Sequence, residues 1–504
     1  MSRRRLPPLV PALAAAATAS LLALMASTGM LGARTVFMLL TLLLLGYGVA
    51  EIARVRRVHP DRWMLNPAVI ACMLVFCLSF GVGNALFFLP ADTLEIVGLV
   101  PDVTPAMVKL MWLVLLGAIG MWLGYWSPFA AAASGARQQR AAARWFRRSD
   151  VPRRFALPVL VAIALLARLL QIKLGVFGYS SSHERQVELS SITQYLGMGA
   201  GLGSVALVVA SLDYFSDRSR WSVRLWFVAI LAIEVGFGVL SGFKSQMAIP
   251  FVIAGVCSYL QSGRVPRAWL AAFAVALVLA YAVIEPFRLT RSADRAYEGT
   301  SVSSILDAFI ASRASDDTRP GKGSVWIAIV ARSTLTYVGS LGIEYRDEHE
   351  ELPEGSPQFL ANLLLAPAYA FIPRSIWRSK PIGDLGLWYT QVVLGRNVPS
   401  STAMSPVTYL YFAGGAIAVF IGFFCFGVLY RVLFFLVRPD AGAGRALVYL
   451  ALVMNLANVG SAVDGVLVFL VRTLPLALVL QHLVYARPRR RSAALAPNAQ
   501  AGVA

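Results

Sequence analysis

The stretch SPVTYLYFAGGAIAVFIGFFCFGVLYRVL, Ser405 to Leu433, contains no charged residue before Arg431. A helix needs about 20 apolar residues to cross a hydrocarbon core of about 30 Å, and this run supplies more. Similar runs recur on both sides of it. The chain of 504 residues is 58% hydrophobic and only 14% charged, a balance foreign to a soluble domain of that size. The class that follows is an all-α polytopic membrane protein.

About twelve spans are expected, at 9–31, 35–51, 65–89, 106–126, 155–175, 193–212, 225–241, 246–261, 268–285, 406–430, 445–461 and 465–484. The first follows Arg3, Arg4 and Arg5 as a signal peptide would, but it is long and many spans come after it, so it reads as a span. The domains are then 1–285, with helices 1–9; 286–405, a large external (periplasmic) loop with interfacial helices; 406–486, with helices 10–12; and 487–504, a disordered basic cytoplasmic tail. Two apolar segments lie inside the loop. Residues 324–343 carry Arg332 at their middle, which costs roughly 2.5–3.5 kcal/mol in a bilayer. Residues 359–372 are too few to span. Both are expected to lie on or dip into the outer interface.

The net charge of +19 does not mark a nucleic-acid partner, because the excess sits in short loops. Loops on the side of the N-terminus hold 25 Lys or Arg, against Arg34, Arg185 and Lys244 in the short loops of the other side. That asymmetry places both termini in the cytoplasm. The 286–405 loop, with twelve basic and twelve acidic residues, is neutral and translocates regardless of charge. Cys72, Cys77, Cys257 and Cys425 all fall in apolar runs and read as small buried hydrophobes, with no disulfide framework and no metal spacing.

Several residues suggest chemistry. Glu234, Arg168 and Arg472 are charges within spans; such charges line a polar crevice or pair structurally, for example Glu234 with Arg472. Lys244, in the turn SGFKSQ (241–246), stands where a helix start also offers free N–H groups to an anion; it can equally snorkel. EPFRLTR (285–291) supplies Glu285, Arg288 and Arg291, and IPRSIWRSKP (372–381) supplies Arg374, Arg378 and Lys380. Guanidinium forks suit diphosphate, although lipid headgroups would also meet these cations. His349, in EYRDEHEELPE, is a candidate general base or part of a solvated acidic loop; the His183-Glu184 pair is weaker. No Walker A loop, dinucleotide fingerprint or zinc spacing appears, so neither cofactor nor metal is expected.

Three segments carry a resemblance. SGFKSQ resembles a Gly-Ser-Arg-like turn between two mid-chain spans, with Lys244 where Arg is commoner. IPRSIWRSKP resembles a Pro-Arg…Trp…Lys-Pro stretch late in a large external loop, and SPVTYLYFAGG (405–415) resembles the following span with its Leu-Tyr pair. Together they resemble the bacterial oligosaccharide repeat-unit polymerases of the O-antigen and exopolysaccharide type (Wzy class), over about 241–436. Where many members have a carboxylate just before the Leu-Tyr pair, Tyr409 stands here, so no catalytic acid is carried over to that place. The resemblance implies a GT-C-like glycosyltransferase acting on undecaprenyl-diphosphate-linked oligosaccharide at the outer leaflet, among membrane lipids, with a chain-length regulator and a flippase as partners. A terminal sugar hydroxyl would displace the lipid diphosphate with inversion. Lys244, Arg288 and Arg374, with Arg168 and Arg291, would contact diphosphate; Glu285, or else His349, would accept the proton. An O-antigen ligase shares this frame. A transporter would place charges in both halves of its spans, whereas the span charges here gather toward one side.

Overall fold

A computed structural model describes residues 9–60, 62–89, 102–146, 151–178, 188–293, 334–372, 377, 385–397, 401–456 and 463–486. Among them no strand forms; Pro152 and Tyr485 make an isolated antiparallel bridge. The longer helices are α1 (Leu9–Ser27), α2 (Ala33–Val58), α3 (Pro67–Phe88), α4 (Pro105–Trp126), α5 (Ala156–Lys173), α6 (Ser190–Ser216) and α7 (Trp221–Leu240). They continue with α8 (Lys244–Ser262), α9 (Arg267–Ala293), α10 (Thr336–Glu348), α11 (Phe359–Phe371), α12 (Pro406–Val437), α13 (Ala443–Leu456) and α14 (Val463–Val484). All twelve apolar segments read from the sequence hold helices, and eight of the helices are long and apolar enough to cross a membrane. The protein is an all-α, membrane-embedded chain.

Three of the spanning helices start alike. Asn66, Thr104 and Ser405 each accept a hydrogen bond from a backbone N–H of the first turn, and a proline follows each of them. The polar cap satisfies a donor that the helix leaves open, and proline at the first position has no donor to lose. Helix α8 ends at Gly263, at φ +66°.

The helices form two lobes. In the first, α1–α4 pack with α10–α14; in the second, α5–α9 pack on one another. The first lobe is built around α4 and α12. A Cβ at Gly427 would strike the Met121 carbonyl oxygen, and one at Gly124 the Phe424 carbonyl, so glycine is what lets these backbones meet. The lobes touch where α6 meets α13 and where the start of α5 meets the end of α14. At that end of the bundle a cavity of about 330 Å³ is lined by Asp213, Gln261, Asp440 and Tyr485. The opposite end, the loop end, carries α10, α11 and the short helical segments Leu385–Trp388 and Tyr389–Val393 of the 286–405 region.

Two spans are irregular. Helix α3 passes from α-helix into a π-turn over Cys72–Ser79 and then into a 3-10 turn over Val82–Phe88. Helix α12 breaks at Gly414 and Gly415. Helix α9 continues to Ala293, eight residues past the boundary expected at 285.

Candidate functional site

The loop end of the second lobe holds most of the expected cations. Arg168, on α5, grips Glu234, on α7, with both guanidinium nitrogens, at 2.6 and 2.9 Å. Both side chains are buried, Ser204 adds a hydroxyl at 3.4 Å, and the guanidinium lies 4.8 Å from the Phe237 ring. Gly203 makes room: a Cβ there would collide with the Glu234 carboxylate. Two buried opposite charges in bidentate contact neutralise each other, so neither remains exposed to lipid. The expected partnership of Glu234 with Arg472 is thereby corrected. Arg472 instead donates to the Ala370 carbonyl at the end of α11, because α11 packs along α14 and brings an open helix C-terminus to it.

Two turns further along α7 comes the tight turn into α8. Ser241 Oγ donates to the Gly238 carbonyl at 2.7 Å and accepts from the Phe243 amide at 3.2 Å, while Gly242 takes φ +69°. Gly178, at the end of the α5 segment, rests against the Ser241 carbonyl, where a Cβ would not fit. This closes the end of α5 onto the turn. Lys244 then opens α8, with its Nζ 3.8 Å from the centre of the Tyr281 ring. The cation thus sits against α9. Glu285 and Arg288 stand one and two turns beyond Tyr281 on the same face of α9 by helical register; Arg291 lies one turn further. Only the backbone is described for these three. Arg374 lies outside the described residues, as do Arg378 and Lys380.

His349 belongs to the other lobe. Exposed, it ends α10, with its ring stacked at 4.2 Å on Tyr345 and its Nδ1 2.9 Å from the Tyr345 carbonyl. Helix α10 is fixed to the bundle by side chains the sequence reading did not single out. Thr336 donates to Asn84 at 2.5 Å, and Tyr389 to the Val338 carbonyl at 2.6 Å. Asp347 accepts from Lys109 at 2.6 Å and from Tyr411 at 2.6 Å. This last cluster is half exposed, so the ion pair itself contributes little to stability; it positions a carboxylate beside the break in α12.

Tyr409 is buried and donates to the Phe359 carbonyl at 3.0 Å. It fastens α11 to α12 and holds no acid at that place. A carboxylate does come near: Asp464, at the start of α14, interacts electrostatically with both Tyr409 and Tyr369 and accepts from the Gly465 amide at 2.8 Å. Asp464 is the sole charged residue between Arg445 and Arg472. The logic that singled out Glu234 would have singled it out too. The Asp347 cluster left no such signal, because Lys109 and Tyr411 are each ordinary residues at span ends.

A family model described as "Domain of unknown function (DUF8712)" matches residues 162–438, more than half of the chain. That match begins within α5 and runs through the end of α12, so it includes the Arg168–Glu234 pair, the Lys244 turn and the whole 286–405 region. Neither the curated proteins nor the solved structures gave a match.

Proposed function

For this chain, which belongs to the DUF8712 family, we propose the activity of an oligosaccharide repeat-unit polymerase. It joins repeat units carried on undecaprenyl diphosphate at the outer face of the bacterial inner membrane. The chain crosses about twelve times in a GT-C-like arrangement, with both termini cytoplasmic and the loop end outside. The observation that carries the reading is the seating of Lys244 on Tyr281. It brings a cation at a helix start to the helix whose backbone continues through Arg288 and Arg291. From Tyr281 to Arg288 is about 10 Å of axial rise, a gap that long cationic side chains and a diphosphate fill together.

The chemistry needs little else. Diphosphate is already a good leaving group, so the protein has to hold its developing charge and aim the acceptor. Lys244, Arg288, Arg291 and Arg374 supply the charge. Glu285 takes the proton from the terminal sugar hydroxyl as the hydroxyl oxygen attacks the anomeric carbon, and the lipid diphosphate departs with inversion.

A gene-deletion strain tests this directly through its glycan profile. Lipid-linked single repeat units and no long polymer are expected; long polymer retained on the carrier lipid would indicate a ligase instead, and unchanged surface polymer would refute both. Lys244→Ala and Arg288→Ala, expressed in that strain and shown to insert, should each fail to restore polymer. Full restoration by both removes the diphosphate site.

A further inference from the structure

The mechanism leaves unused the two cysteines of α3. Cys72 and Cys77 are five residues apart, and on an α-helix that spacing separates them. Their Cα atoms would stand about 8.5 Å apart and their side chains would diverge by about 140°, beyond the roughly 7 Å that a disulfide can bridge. The structure removes that obstacle locally. Residues Cys72–Ser79 form a π-turn, whose i to i+5 hydrogen bonding sets residue 77 one turn above residue 72.

A second observation comes from the facing helix. A Cβ built on Gly48 of α2 would lie 2.9 Å from Cys77 Sγ and 3.3 Å from Cys72 Sγ. Both sulfurs therefore flank one point, and they can be no farther apart than those two distances laid end to end. The two environments differ. Cys72 is fully buried, whereas Cys77 is only partly so. One thiol is reachable and the other waits behind it.

We infer that Cys72 and Cys77 are a covalent modification site: a dithiol that a small disulfide oxidises to an intrahelical disulfide bond. Cys77, as thiolate, attacks one sulfur of the small disulfide, forms a mixed disulfide and releases the first small thiol, which carries off the proton Cys77 gave up. Cys72 then attacks the Cys77 sulfur and expels the second. The protein loses two hydrogens and two electrons, and the reagent gains both as two thiols. The closed ring would fix the π-turn one turn before Asn84, the residue that holds Thr336 of α10.

The test uses the full chain in lipid nanodiscs with Cys257→Ser and Cys425→Ser, treated with 2,2′-dipyridyl disulfide. Expected are two equivalents of pyridine-2-thione per chain and a final mass two hydrogens lighter, with no pyridylthio group retained. Adding Cys72→Ser should leave one stable adduct, on Cys77. A stable adduct on either cysteine in the Cys72/Cys77 protein, or no thione release at all, overturns the proposal. Should the serine variants misfold, peptide mapping of the oxidised wild-type chain decides the matter: a linked Cys72–Cys77 segment upholds the inference, and separate alkylated residues refute it.

Discussion

Arg168 shows how one residue invites two readings that only its neighbours separate. As an arginine within a span it suggests diphosphate; in the fold both terminal nitrogens hold Glu234. Removing one member leaves a buried charge without its counterion, which costs about 3–5 kcal/mol. Removing both leaves an apolar contact. We expect Arg168→Leu and Glu234→Leu each to lower thermal stability strongly in detergent, and the double variant to recover most of the loss. Additive losses in that double-mutant cycle would mean the pair is not coupled. Glycan synthesis by the double variant then reports separately on any contact of Arg168 with substrate. Lys244 is placed differently: its ammonium lies over the ring of Tyr281, a cation–π contact that ties the start of α8 to α9.

At the scale of elements, the break in α12 is the feature most exposed to test. Gly415 has φ +67° and ψ −156°, a region essentially closed to residues with a Cβ. The break falls four residues after Tyr411, whose hydroxyl donates to Asp347 of α10. A broken helix frees backbone groups, and within a membrane these are tolerated only against protein or a water-lined cavity. Gly415→Ala should therefore either straighten α12 or cost about 1–3 kcal/mol. Both outcomes predict a lower melting temperature, and a substitution without effect would show that the break is not required. Helix α11 makes a related point. Its 13 residues rise about 20 Å, short of a crossing, and it packs along α14 with its C-terminal carbonyl on Arg472.

At the scale of the molecule, the two lobes interleave in the chain: α5–α9 are inserted between α1–α4 and α10–α14. The loop end of both lobes collects Lys244, the continuation of α9, Asp347 and Asp464. The opposite end collects Arg62 paired with Asp440 at 2.9 Å and Arg431 bound to the Tyr125 carbonyl at 2.9 Å. In the proposed orientation, which follows the basic excess of the short loops, that opposite end faces the cytoplasm. Glu354→Cys, at an exposed position of the loop end, should accordingly react with a membrane-impermeant maleimide in intact cells expressing a cysteine-free background. Arg140→Cys should react only after permeabilisation. The reverse pattern would put the proposed site on the wrong side of its lipid-linked substrate.

Hydrophobicity determined the helices directly. Each uncharged run had to bury its backbone polar groups in helical hydrogen bonds, and Asn66-Pro67, Thr104-Pro105 and Ser405-Pro406 marked where three of them start. The turn at Ser241–Ser245 was equally legible, since little else joins two adjacent spans in so few residues. Partnership was not legible. Glu234 found Arg168 rather than Arg472, Asp347 found Lys109 and Tyr411, and a π-turn aligned Cys72 with Cys77, because each of these depends on distances between helices far apart in the chain or on a backbone irregularity without a periodic signal. Composition decides which solvent a segment prefers; only packing decides which side chains meet there.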